Sequence, residues 1–145
     1  MKNLFKVGVL ALVLVVVTGC GSKGKTLSCT KTSGEGIKDT TTITVTLKGD
    51  SASKVKVTEE YVATDEYSDF ITQLASSFEL AFADIKEMKG VSLKSNIKGN
   101  TFSYEYVADL TKMSKEDVDK LDMGDFSLGY DALKKSAEED GYTCK

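Results

Sequence analysis

The chain has 145 residues, with 19 lysines, no arginine and 22 acidic residues, and its formal net charge is −3. Nucleic-acid-binding proteins usually present a basic face with arginines that contact phosphate or guanine, so this composition argues against a nucleic-acid partner. Histidine is also absent, which removes the commonest metal ligand and the most frequent general acid or base. The length suits one domain with one buried core.

The N-terminus has the pattern of an export signal. Residues 1–6 carry two lysines, and residues 7–17 are apolar without interruption. This apolar stretch has the length of a signal-peptide core and is too short to span a bilayer comfortably. The stretch closes on four residues that resemble the lipobox of bacterial lipoproteins, an apolar residue, two small residues and a cysteine: Val17, Thr18, Gly19 and Cys20.

The lipobox resemblance implies that the Cys20 sulfur is acylated and that the chain is cleaved before Cys20. The membrane lipid is then a partner through the acylated Cys20, and the protein is expected to be lipid-anchored facing outside the cytoplasm, on the outer face of the cell membrane or on an outer membrane. We therefore expect a signal peptide at residues 1–19, a lipidated tether at residues 20–26 and a single domain at residues 27–145.

A competing motif overlaps this region. Residues 19–26 match the phosphate-binding pattern G-x-x-x-x-G-K-[ST] letter for letter. Such a loop binds phosphate only where it opens a helix whose N-terminus faces the ligand. Residues 27–36 are rich in Thr, Ser and Gly and carry no helical periodicity, and cleavage would remove Gly19. We therefore favour the signal peptide.

The three cysteines fit an exported protein once one of them is lipidated. Acylation of Cys20 leaves Cys29 and Cys144 as a pair, one at each end of the domain. We expect these two residues to form a disulfide that ties the first strand to the C-terminal tail. Its expected role is structural, because no Cys-x-x-Cys pair is present to lower a thiol pKa.

The first half of the domain predicts three strands. The first strand is expected at residues 26–32, followed by a loop at residues 33–39. Residues 40–48 alternate apolar side chains with threonines, as a half-buried strand does, and a turn follows at residues 49–51. The next strand completes an antiparallel hairpin, with apolar side chains on one face and charged ones on the other: Val55, Val57 and Tyr61 against Lys54, Lys56 and Glu60.

A long helix is predicted next. Thr64 is the expected N-cap, and Gly90 is the expected stop. Apolar residues recur between them at spacings of three and four: Tyr67, Phe70, Ile71, Leu74, Phe78, Phe82, Ile85 and Met88. This stripe indicates a core-facing helix, and a hydrophobic ligand groove is the alternative.

A second hairpin and two helices complete the prediction. The hairpin turns at Gly99 and Asn100, and Tyr104 and Tyr106 are expected on the packed side of the sheet. Ser114 opens a short helix with a capping-box pattern. A last helix is expected at residues 129–140 and an edge strand at residues 142–145. The fold class is α+β: an antiparallel sheet of two hairpins plus terminal strands, with helices packed on one face.

The order of these elements is similar to that of a known group of proteins. The resemblance rests on the lipobox, the hairpin at residues 47–50, Gly90 and Val91 before the second hairpin, and a terminal helix that ends at Gly141 and Tyr142. Together these features resemble the YehR-type family of small bacterial lipoproteins. The resemblance covers most of the chain and implies no established activity. The Cys29 and Cys144 pair is not expected in every member.

Acidic clusters are the only recurring polar feature of the sequence: Asp65, Glu66 and Asp69; Asp117, Asp119, Asp122 and Asp125; and Glu138, Glu139 and Asp140. Their spacing fails the D-x-[DN]-x-[DN]-G pattern of a calcium loop, so we expect a solvated acidic surface and no metal or cofactor. No catalytic constellation can be singled out. The leading hypothesis is a non-catalytic module that binds an envelope protein or a small ligand. The alternative is an extracytoplasmic hydrolase that uses paired carboxylates.

Overall fold

The computed structural model describes residues 24–121 and 128–145. These residues form one six-stranded sheet in which every neighbouring pair is antiparallel. The strands are β1 (Lys25–Ser33), β2 (Ile37–Lys48), β3 (Ser51–Ala63), β4 (Val91–Lys98), β5 (Thr101–Asp109) and β6 (Thr143–Cys144). Their order across the sheet is β4-β5-β3-β2-β1-β6.

Within the described residues, three α-helices accompany the sheet: α1 (Ser68–Ala81), α2 (Lys115–Lys120) and α3 (Tyr130–Glu139). Helices α1 and α3 pack on the same face of the sheet, so the predicted α+β fold class is confirmed. None of the described helices is long and apolar enough to cross a membrane.

The alternation of polar and apolar side chains along β1 and β2 explains why the described helices pack on one face of the sheet. On the opposite face, hydroxyl side chains of the two strands pair across the sheet, at 3.0 Å between the Oγ1 atoms of Thr30 and Thr42 and at 3.4 Å between Ser28 Oγ and Thr44 Oγ1. Because successive side chains of a strand point to opposite faces, the intervening apolar residues all face the helices.

The helix-bearing face holds two separate apolar clusters. Helix α1 covers the first, which contains Ala63, Ile71, Ala75, Phe78 and Phe102. Tyr130 and Leu133 of α3 cover the second, which contains Val45, Leu47 and Val55. Between these clusters, the helix-bearing face carries polar residues.

The disulfide between Cys29 and Cys144 is present, as the cysteine count predicts. The two residues lie directly opposite each other in the β1–β6 pairing, and Cys29 is buried. Lys145 and Ser28 add reciprocal backbone hydrogen bonds of 2.8 and 3.2 Å. The predicted C-terminal edge strand is therefore confirmed, with the disulfide at its centre.

Three predicted boundaries were wrong. Strand β1 begins at Lys25, so the last two residues of the predicted tether pair with β2. The predicted loop at residues 33–39 shrinks to residues 34–36, because Gly34 reverses the chain with φ +90°. Thr64 makes no side-chain cap, and a 3₁₀ turn at Asp65–Tyr67 separates it from α1.

The long helix also ends earlier than predicted, at Ala81 instead of Met88. A 3₁₀ turn at Ile85–Glu87 follows, and the chain enters β4 at Val91. The apolar spacing continues through the break because the chain keeps packing on the same sheet while it turns back toward β4. In contrast, Ser114 caps α2 as predicted, since its side chain accepts a hydrogen bond from the Asp117 backbone N–H.

Candidate functional site

A polar row crosses the helix-bearing face between the two apolar clusters. The strand register places Lys31, Thr41, Glu59 and Tyr104 opposite one another on four neighbouring strands. Each belongs to the same face as the core residues two positions away, because side-chain direction repeats every second residue. Glu59 therefore occupies a core-facing position on β3, between Val57 and Tyr61.

Hydroxyl groups hold the Glu59 carboxylate from two sides. The Tyr104 hydroxyl donates to Oε2, and Thr41 Oγ1 donates to Oε1 at 3.0 Å. The same Thr41 oxygen lies 3.5 Å from Oδ1 of Asp39. Asp39 and Glu59 thus share one hydroxyl, and their two carboxylates lie side by side on β2 and β3.

The proximity of these two carboxylates affects the titration of Asp39. Burial raises the pKa of Asp39, and the charge of Glu59 raises it further, whereas the hydrogen bond from Thr41 lowers it. Within the described residues, no lysine nitrogen lies within 4.0 Å of either carboxylate. The pair therefore has no compensating cation among them.

Three tyrosines surround this pair. Burial raises the pKa of Tyr61, Tyr104 and Tyr142, and the charges of Glu59 and Asp39 raise it further. The phenols consequently stay protonated well above neutral pH, add no negative charge and remain hydrogen-bond donors.

An apolar pocket of about 250 Å³ adjoins the carboxylate pair. Residues from β3, β5, the end of α1, the 3₁₀ turn and the end of α2 line it: Val57, Phe82, Ile85, Tyr104, Tyr106 and Leu121. Tyr104 belongs to both features, since its ring lines the pocket and its hydroxyl contacts Glu59. Tyr104 therefore links the pocket to the Glu59 carboxylate.

Tyr106 supplies a polar group with no partner. Its side chain is 4% exposed, and its hydroxyl makes no hydrogen bond within the part of the chain that the structure describes. Burial raises the pKa of Tyr106 to about 12. A buried hydroxyl without a partner costs about 1–3 kcal/mol, so a ligand with a matching polar atom would recover that free energy.

Aromatic packing makes one wall of the site rigid. The ring of Phe78 lies 4.4 Å from that of Phe82 and 4.2 Å from that of Tyr104, measured between centroids. Phe102 meets Phe78 edge to face at 5.4 Å. Pairs at such distances add about 0.5–1.5 kcal/mol beyond their buried area, so the wall is preformed.

The sequence-predicted lipidation, disulfide and acidic residues lie elsewhere, whereas Phe82 and Ile85 of the predicted apolar stripe line the pocket. Cys20 lies outside the described residues, and Cys29 and Cys144 form a structural link away from the pocket. The predicted acidic clusters have local roles: Asp65 accepts from Asn100 Nδ2 at 2.8 Å, and Asp117 lies at the start of α2. Glu138 and Glu139 lie 3.8 Å from lysines one turn away on α3.

Asp122 and Asp125 of the predicted clusters lie outside the described residues. Among the residues that are described, no group of three acidic or cysteine side chains is arranged to hold a metal ion. The carboxylates that do meet, Asp39 and Glu59, were not among the predicted clusters. The sequence signal that could have identified Glu59 is the alternation of side chains along β3, which places Glu59 on the apolar face with Val57 and Tyr61.

Comparison with known proteins adds information on the fold. No protein-family model and no curated protein sequence matches the chain. An NMR structure of a protein from Streptococcus pneumoniae TIGR4 is similar, with a TM-score of 0.53 and 14% sequence identity. The match covers 100% of this chain and 99% of that protein. At this identity the likeness shows a shared fold over the full length.

Proposed function

We propose that this chain is a lipid-anchored lipoprotein of the YehR-type family and that its domain is a non-catalytic binding module outside the cytoplasmic membrane. The pocket beside Tyr104 is its proposed binding site. The observation that carries this proposal is the buried hydroxyl of Tyr106, a residue of the otherwise apolar pocket, which has no hydrogen-bond partner among the described residues. Ligand sites typically combine apolar walls with a few placed polar groups.

The membrane anchor is supported by the lipobox that ends at Cys20 and by the start of β1 at Lys25, only five residues later. Such a short tether would keep the domain close to the lipid surface. We expect the Cys20→Ala protein to lose its detergent-sensitive attachment to membranes, as measured by cell fractionation with detection of the protein. A Cys29→Ala protein, which keeps Cys20, is the matched control and is expected to stay attached. Unchanged attachment of Cys20→Ala would contradict the anchor.

The pocket is tested with 1-hexanol, a neutral probe with an apolar chain and one hydroxyl. We expect saturable shifts of the backbone amides of Val57, Phe82 and Tyr106 in an NMR titration of the domain. Leu121→Trp should abolish these shifts by filling the pocket from its rim. Leu80→Trp is the control, because Leu80 is 81% exposed on α1 and the same enlargement there leaves the pocket open.

Tyr106→Phe separates a binding role from a packing role. Removal of an unpartnered buried hydroxyl should leave the stability of the domain unchanged or raised, whereas the affinity for 1-hexanol should fall several-fold through loss of one hydrogen bond. Equal affinity of the two proteins, or shifts spread over exposed apolar residues such as Leu80, would contradict the proposed binding site.

A second candidate function is hydrolysis by the Asp39 and Glu59 pair. It is favoured by the hydroxyl that both carboxylates share and by the raised pKa of Asp39, which would suit a general acid. Against it, both oxygens of Glu59 already accept hydrogen bonds from hydroxyl groups. Release of reducing ends from envelope glycans by the wild-type domain, lost in Asp39→Asn, would favour the hydrolase over the binding module.

A further inference from the structure

We infer that the site binds an organic cation, with its apolar body in the pocket and its positively charged nitrogen beside the carboxylates of Asp39 and Glu59. This inference deepens the proposed binding function and rests on it. It follows from the charge of the site, from its aromatic surroundings and from Tyr104, which both lines the pocket and contacts Glu59.

The charge of the site is unbalanced. Asp39 and Glu59 lie against the same Thr41 hydroxyl, and two like charges at this separation repel each other. Lys31, the lysine of the polar row, makes no ion pair with either carboxylate, and its Nζ donates to the Asp140 carbonyl oxygen at 2.8 Å. Its ammonium also lies over the Tyr142 ring, 5.5 Å from the centroid. A positively charged ligand would relieve the repulsion between the two carboxylates.

The surroundings suit an organic cation better than a metal ion. Calcium and magnesium take six or more oxygen ligands, whereas this site offers two carboxylates, one of which has both oxygens engaged by hydroxyl groups. Tyr61 and Tyr104 lie beside Glu59, and their phenols stay neutral. Neutral aromatic faces attract ammonium groups, by about 0.5–2 kcal/mol each.

The pocket would hold the apolar part of the ligand. Its lining is apolar apart from the tyrosine hydroxyls, and Tyr104 connects it to Glu59 within the length of one side chain. The Tyr106 hydroxyl, 4% exposed and without a partner among the described residues, is available for a polar atom of the bound molecule. A small hydrated inorganic ion could use neither the apolar walls nor this buried hydroxyl.

The test compares three probes with the same six-carbon chain: hexyltrimethylammonium, 1-hexanol and hexyl sulfate. Dissociation constants are measured by NMR titration of the intact domain. We expect the cation to bind about tenfold more tightly than the alcohol, as one desolvated cation–π contact and a carboxylate pair would give. Hexyl sulfate should bind most weakly, because the same carboxylates repel it.

Variants identify the source of this preference. Glu59→Gln and Asp39→Asn should each weaken binding of the cation more than binding of 1-hexanol, so that the preference for the cation falls severalfold. Glu60→Gln is the matched control, because Glu60 is the exposed neighbour on the opposite face of β3, and it should keep the preference. Circular dichroism melting curves of all three variants establish that the domain is folded.

The outcomes separate this inference from the proposed function. Equal affinity for the cation and the alcohol, or a preference that survives both Glu59→Gln and Asp39→Asn, would overturn the cation site and leave the binding pocket standing. Failure of all three probes to bind would overturn the pocket as well.

Discussion

Replacing both Cys29 and Cys144 by alanine should lower the free energy of unfolding by about 2–5 kcal/mol. The disulfide joins residues 115 positions apart, so its loss frees almost the whole described chain in the unfolded state. Cys29 is also 2% exposed, and its truncation removes packing between β1 and β6. Urea denaturation under non-reducing conditions, followed by circular dichroism, measures the change.

Reductant provides the control for this result. Dithiothreitol should destabilise the wild-type domain by a comparable amount and should have no effect on the double variant, which has no thiol within residues 24–145. A double variant whose free energy of unfolding matches that of the oxidised wild type would show that the link contributes nothing to stability.

Truncation of Phe102 to alanine should cost about 3–5 kcal/mol. Phe102 is 1% exposed at the centre of the cluster under α1, with its ring 5.4 Å from that of Phe78 and 6.2 Å from that of Tyr61. The variant leaves a cavity between the sheet and α1, since the packed rings around it cannot collapse fully. Denaturant unfolding monitored through tyrosine fluorescence gives the difference.

Ile97 is the matched control for Phe102. The two residues lie directly opposite each other in the β4–β5 pairing, but Ile97 is 51% exposed on the edge strand. Ile97→Ala should therefore cost less than about 1 kcal/mol. Similar losses for the two variants would mean that burial under α1 does not set the stability of this part of the sheet.

Local patterns in the sequence were enough to predict the elements of this fold. The alternation of Ile43, Val45 and Leu47 with threonines places β2 correctly, and the Gly99 and Asn100 turn places the second hairpin between β4 and β5. Each signal lies within about ten residues and reflects either the side-chain period of a strand or the backbone demand of a turn. The cysteine pair was predictable because the expected lipidation of Cys20 leaves only Cys29 and Cys144 to pair.

Features that depend on tertiary packing were not predictable in this way. The apolar spacing between Phe78 and Met88 continues through the end of α1, so it could not reveal where the helix gives way to a 3₁₀ turn. That boundary depends on where the chain must return to the sheet as β4, which is a property of the strand order.

The carboxylate pair of the candidate site was missed for a related reason. Asp39 and Glu59 are 20 positions apart, and only the register between β2 and β3 brings them to one hydroxyl. The sequence analysis weighed acidic residues by their local density, which selected exposed clusters with structural partners. An isolated acid at a core-facing strand position is the better indicator, because such a group is buried at a cost that a binding role would explain.

The link between Cys29 and Cys144 also determines how the domain carries mechanical tension. A pull applied between residue 24 and Lys145 enters at β1 and passes through the covalent bond to the C-terminus. Strands β2 to β5, with the pocket and the carboxylate pair, lie inside the loop that the disulfide closes, whereas residues 25–28 of β1 lie outside it and pair with β2. Tension between the two ends would therefore act first on residues 25–28, because the disulfide prevents extension of the chain between Cys29 and Cys144.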